Sequence, residues 1–251
     1  MIHCEHVADV YTKDKMSLWL LSAFKAGFIN SAGFLISGKF VSHVTGFGTQ
    51  VGIAMGHSDY FFGAELLIIP VSFITGGVIS SLVLDRPTHK IPAYHYVQGL
   101  ITILIAIVIL LGESGLVSSD VPFDADQRYQ FIEFAIIGLL CLICGLKNSL
   151  VTWTTFGKIR VTHLTGISTD IGLHLISMIN PRYKTIRLKE HKIINLHLIA
   201  TLFSFSIGAF ISALLFPSFG YKAFYIVFGI SLLMTILSIQ VRKKSLLAGV
   251  L

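Results

Sequence analysis

Six stretches of this chain stay apolar for about twenty residues: 16–37, 62–84, 95–115, 129–151, 194–216 and 221–241. At about 1.5 Å of rise per residue, each is long enough as a helix to cross a hydrocarbon core roughly 30 Å thick. Composition agrees with that constraint, since 54% of the residues are hydrophobic and only 13% charged, against about 25% charged in soluble domains. The expected class is an all-α polytopic membrane protein with six transmembrane helices, its partner the lipid bilayer. Two further segments, 41–58 and 161–179, are apolar but shorter, and Gly, His, Thr and Asp or Gln interrupt them. They read as broken or re-entrant half-helices.

The first apolar run does not have the form of a cleavable signal peptide. A polar leader, 1–15, carrying Glu5, Asp9 and Asp14 precedes it, Lys25 interrupts it, and no small-residue cleavage site closes it. Basic residues gather at the ends and in two connections: Lys13 and Lys15, Arg86 and Lys90, the group from Arg182 to Lys192, and the tail 242–251 with Arg242, Lys243 and Lys244. The segment 113–126 instead carries Glu113, Asp120, Asp124 and Asp126 and no Lys or Arg. Under the positive-inside rule both termini and the 180–193 loop are cytoplasmic and 116–128 is external. This clustering at membrane ends accounts for the net charge of +6 without a nucleic-acid partner.

The two halves of the chain repeat. "SHVTGFGTQVGIAM" (42–55) lines up with "THLTGISTDIGLHL" (162–175), pairing His43 with His163, Thr45 with Thr165, Gly46 with Gly166 and Thr49 with Thr169, each 120 residues apart. Upstream, Gly27, Asn30 and Ser31 fall on Gly145, Asn148 and Ser149 at an offset of 118; downstream, "SFITGGVISSLV" (72–83) falls on "SFSIGAFISALL" (204–215). The units are 16–115 and 129–241. A unit of three spans, duplicated in one chain, crosses the bilayer in opposite senses, so the expected architecture is two inverted three-helix repeats, as in many secondary transporters.

Non-helical backbone at membrane depth is tolerated where protein or cavity water satisfies it, so two breaks at matched positions point to a shared cavity. Thr45 and Thr165 read as N-caps; Gly46 and Gly166 admit a ligand or another backbone; Thr49 and Thr169 lie one turn on, on the same side. Free amides at such half-helix starts favour an anion or a carbonyl. Gln50 and Asp170 occupy one matched position and make the site unequal in charge, with Asp170 placed to carry a proton. The plainer account is packing: Gly48, Gly52 and Gly56 form a double GxxxG stripe, Thr hydroxyls bond their own helix, and a single His fills space. Matched histidines favour a cavity role for His43 and His163, since polar groups inside a span are costly.

Lys25 and Lys147 lie inside predicted spans near Asn30 and Asn148. They are not repeat equivalents. A buried Lys147 calls for Asp170 or a bound anion as partner, and snorkelling is the alternative, more so for Lys25; Glu65 and Glu133 sit at span starts and read as interfacial. Three cysteines build no disulfide framework, and Cys141 with Cys144 reads as packing within a span. No HExxH, GxSxG or comparable catalytic pattern occurs, so no catalytic residue, metal site or cofactor is expected.

The TG pair, the run "GFINSAGFLISGKFVSHVTG" and the duplicated six-span layout resemble the YoaK-type (UPF0700) bacterial transmembrane proteins, a family of unknown function, over residues 16–241. In that family the first TG is followed by Asn, whereas Phe47 and Ile167 stand here. The resemblance implies a bacterial inner-membrane location and no substrate. The functional expectation is a transporter or channel for a small solute, an anion among the classes considered, with proton coupling through Asp170 and a homo-oligomer compatible with the small-residue stripe. Its site comprises His43, Thr45, Gly46, Thr49, Gln50, His163, Thr165, Gly166, Thr169 and Asp170, with Asn30, Asn148 and Lys147 beside it. A non-transporting sensor or assembly partner is the alternative, and a membrane-embedded metal-dependent enzyme a weaker one.

Overall fold

Nine α-helices arise among the described residues from eight apolar segments because one segment, 62–84, is divided near Pro70. The computed structural model describes residues 13–85, 94–114, 131–179 and 186–247, and within them runs α1 (Lys13–Ser37), α2 (Val44–Gly56), α3 (Tyr60–Leu66), α4 (Ile68–Leu84), α5 (Tyr94–Glu113), α6 (Phe131–Thr154), α7 (Leu164–Ile179), α8 (Ile186–Phe219) and α9 (Tyr225–Leu247). The described residues are helical or in turns. Pro70 has no N–H to give the Leu66 carbonyl, and the helix is interrupted one residue later, at Leu67, into α3 and α4. Pro217 weakens the last turn of α8; Gly220, at φ +52, then turns the chain through a 3-10 stretch, Gly220–Phe224, into α9. The leader up to residue 12, the Arg86–Lys90 connection, the acidic loop 116–128, and Arg182 and Lys184 lie outside the described residues.

Among the described residues five stretches are long and apolar enough to cross a membrane: Lys15–Ser37, Tyr60–Leu84, Tyr94–Glu113, Phe134–Thr154 and His191–Gln240. The last has 50 residues, about 75 Å if straight, more than twice a hydrocarbon core, and contains the Gly220 break between α8 and α9. Several long apolar helices fit a multi-pass membrane protein, and many of their apolar side chains, Leu82, Ile103, Leu110 and Phe210 among them, face outward. That is the distribution lipid accepts and water does not.

Packing exchanges the halves. α1 of the first unit lies along α8 of the second, and α6 of the second along α4 of the first. The contacts match residue for residue: a Cβ on Gly27 would strike the Phe205 carbonyl, and one on its counterpart Gly145 the Phe73 carbonyl. Likewise Gly208 meets the Phe24 carbonyl, and Gly76 the Leu142 carbonyl. Only glycine lets backbones come this close. Ser204 donates to the Leu20 carbonyl at 2.7 Å in one interface, and its counterpart Ser72 sits against Gly138, the counterpart of Leu20, in the other.

The third long helices of the two units, α5 and α9, also meet, and they run antiparallel. Gly112 faces Tyr221, Gly99 faces Thr235, and His95 bonds Arg242 at 2.7 Å, so the residue number rises on one helix as it falls on the other. Between them Thr102 donates to Ser231 Oγ at 3.1 Å and meets Thr235 Oγ1 at 3.0 Å. The main core gathers Phe28, Ile101, Ile105, Ile137, Cys141 and Phe224; both Cys141 and Cys144 are free thiols buried there.

Candidate functional site

Each TG segment is tied to the span before it by an asparagine. Asn30 Oδ1 accepts from the Ser42 hydroxyl and amide, and Asn148 Oδ1 accepts from the Thr162 hydroxyl at 3.1 Å. Ser42 and Thr162 are counterparts, each immediately before the paired histidine. One turn into each short helix, Phe47 and Ile167 are buried, 3% and 4% exposed. These positions are apolar anchors: with the asparagine link they set how α2 and α7 lie, which explains why no polar residue is used there.

The helices begin earlier than the sequence indicates. His43 occupies the N-cap of α2 and makes no side-chain cap bond; its carbonyl accepts from Gly46 at 3.2 Å, as the His163 carbonyl accepts from Ile167 at 3.0 Å. Thr45 and Thr165 are therefore first-turn residues and not caps, and both TG pairs are helical. The non-helical backbone lies upstream, at 38–43 and 155–163. α2 has 13 residues and α7 has 16, about 20 and 24 Å long, short of a full crossing.

One face of each short helix is open. Thr45, Gly46, Thr49, Thr165, Gly166, Thr169 and Asp170 are exposed, and a Cβ on Gly46, Gly48, Gly52, Gly56, Gly166 or Gly172 would meet nothing within 4 Å. Among the described residues no other helix packs on the GxxxG stripe. Thr169 donates to the Thr165 carbonyl at 3.1 Å.

A cavity of ≈ 300 Å³ opens beside the second segment. His163, Gly166 and Asp170 border it, and so do Lys158, Arg160, His197 and Thr201, which sequence reasoning did not single out. Extending the downstream offset of 132 to Glu65 would have found His197, its counterpart. Glu65 is half-buried and its Oε2 is shut from solvent without a hydrogen-bond partner, as is Gln50 Oε1. The halves thus differ chemically at matched places: Phe40 meets His43 edge-on at 5.5 Å, where Arg160 places a cation beside His163. Lys147 is elsewhere. It is 2% exposed on α6, facing Gln98 and Trp19, and it is not the partner of Asp170. Among the described residues no group of three or more His, Cys, Asp or Glu is arranged to hold a metal ion.

A family model described as "Protein of unknown function (DUF1275)" matches residues 18–237. The chain belongs to this family. No curated protein and no solved structure matches it. The match spans both units and both TG segments.

Proposed function

We propose that this protein carries a small solute across a bacterial inner membrane by a path between its two TG segments, as six spans in two inverted repeats with both termini cytoplasmic. The observation that carries this is a pair of short, matched helices with open Gly–Thr faces and a polar cavity beside one of them. Short helices ending inside a bundle of inverted repeats are where secondary transporters bind their cargo. The antiparallel course of α5 and α9 supports the inversion. If α2 and α7 each crossed fully, every unit would have four spans, the repeats would run in the same sense, and α5 and α9 would be parallel.

The cavity wall favours an anion with a proton-linked step. Lys158, Arg160, His163 and the first amides of α7 attract negative charge, and Asp170 is the carboxylate a proton would ride on. The resemblance to the YoaK-type proteins is compatible with this membrane location. The test is a thermal-shift screen of small anions and neutral metabolites on detergent-purified protein, followed by flux of each stabilising compound in liposomes. Stabilisation with flux supports transport. No stabilisation and no flux across the screen would replace transport with a sensor or assembly role.

A further inference from the structure

Lys147 is one of the largest fully buried side chains described, and its Nζ has no hydrogen-bond partner. Lys25 is 1% exposed on α1, which packs against α6; its Nζ donates one described bond, to Ser231 Oγ at 3.2 Å. An ammonium has three donors and no acceptor. Neither lysine has a carboxylate hydrogen-bond partner among the described residues, although a buried charge is ordinarily paired.

Between α1, α5, α6 and α9 a second, small cavity adjoins Lys147. It is ≈ 20 Å³, and Lys147, Gln98 and Ser22 border it among Leu18, Leu150, Val151 and Met234. These three polar side chains carry N–H or O–H groups. Gln98 Nε2 already donates to Ser231 Oγ at 2.8 Å, so Lys25 and Gln98 meet on one hydroxyl at the edge of the site. A space of this size holds one particle about as large as water, the threshold being about 10–15 Å³; sulfate and phosphate are too large.

We infer that Lys147, with Gln98 and Ser22 beside it and Lys25 one hydroxyl away, holds a single small monovalent anion of halide size buried between α1, α5, α6 and α9. The ion neutralises two ammonium groups that the bundle leaves without acidic partners and links the first helices of both units to the third helices of both. It is separate from the TG segments and does not depend on the transport reading.

The test uses the full-length protein in detergent, exchanged into sodium gluconate and titrated with sodium chloride or bromide at constant ionic strength. The melting temperature rises and saturates with either halide and stays flat with sulfate. Lys147→Met removes the saturable rise, and in gluconate this variant melts higher than the unsubstituted protein, because an unpaired buried charge is gone. A chloride response unchanged in Lys147→Met, or none in the unsubstituted protein, overturns the site. Should Lys147→Met fail to fold, the chlorine-35 line width decides: the unsubstituted protein broadens it saturably, and Gln98→Leu, which keeps both lysines, weakens binding by roughly tenfold, the scale of a lost hydrogen bond to a charged group. Absence of broadening beyond that of a gluconate-matched control membrane protein, or equal binding in Gln98→Leu, overturns it as well.

Discussion

Asn30 Oδ1 takes two hydrogen bonds from one residue, Ser42, from its hydroxyl at 2.8 Å and its amide at 3.1 Å. The counterpart Asn148 takes one described bond, from the Thr162 hydroxyl. Removing an acceptor from a buried donor costs about 1–3 kcal/mol. Asn30→Ala therefore lowers the thermal midpoint of the purified protein more than Asn148→Ala does. Equal losses, or a larger loss at Asn148, would show that the backbone link at Ser42 does not hold α2 in place.

The glycines divide into two groups with opposite expectations. Gly27→Ala or Gly145→Ala drives a methyl into a facing backbone carbonyl and destabilises by about 1–3 kcal/mol or more, which thermal unfolding in detergent measures directly. Gly46→Ala and Gly166→Ala meet nothing and gain up to about 1 kcal/mol of helix propensity. Loss of flux in either of these last two, with unfolding temperature kept or raised, would locate solute movement on the open faces. Loss of stability would instead mean that some unrecognised neighbour covers them.

Topology is open to labelling. With the α5–α9 antiparallel course and six crossings, a cysteine introduced at Asp124 reacts with an impermeant maleimide in intact cells, and one at Lys184 reacts only after lysis. Labelling of Asp124→Cys after lysis alone would require α2 and α7 to cross fully.

Asp170 and Gln50 share one matched position, and only one of them ionises. Asp170→Asn keeps size and much of the hydrogen bonding; it abolishes accumulation driven by an imposed pH gradient in liposomes while leaving downhill exchange largely intact. Gln50→Ala mainly weakens binding. Gradient-driven uptake equal to that of the unsubstituted protein in Asp170→Asn would leave the carboxylate a structural or electrostatic part of the α7 face.

Much of the architecture is readable from period and spacing. Apolar runs of about twenty residues become helices because a bilayer leaves the backbone no other partner than itself; residues 95–113 of the run 95–115 lie in α5, and 131–151 of the run 129–151 in α6. The offsets of 118, 120 and 132 pair Gly27 with Gly145, His43 with His163 and Gly76 with Gly208, and the reciprocal contacts follow those pairs. Helix starts were misplaced at Thr45 and Thr165, since hydroxyl capping is a propensity and the first helical bonds go to whichever carbonyl the preceding loop presents, here those of His43 and His163.

The sequence alone determines that this chain is membrane-embedded, all-helical and duplicated, because each of those properties is a local pattern or a repeat of one. Which residues share a cavity is different. His197 joins Asp170, and Lys147 leaves it for Gln98, through the rotation of α8 and α6 about their own axes against α1 and α4. That rotation is set where glycines let backbones touch, by van der Waals contact summed over whole interfaces. It depends on both partners at once, so only the tertiary structure decides it.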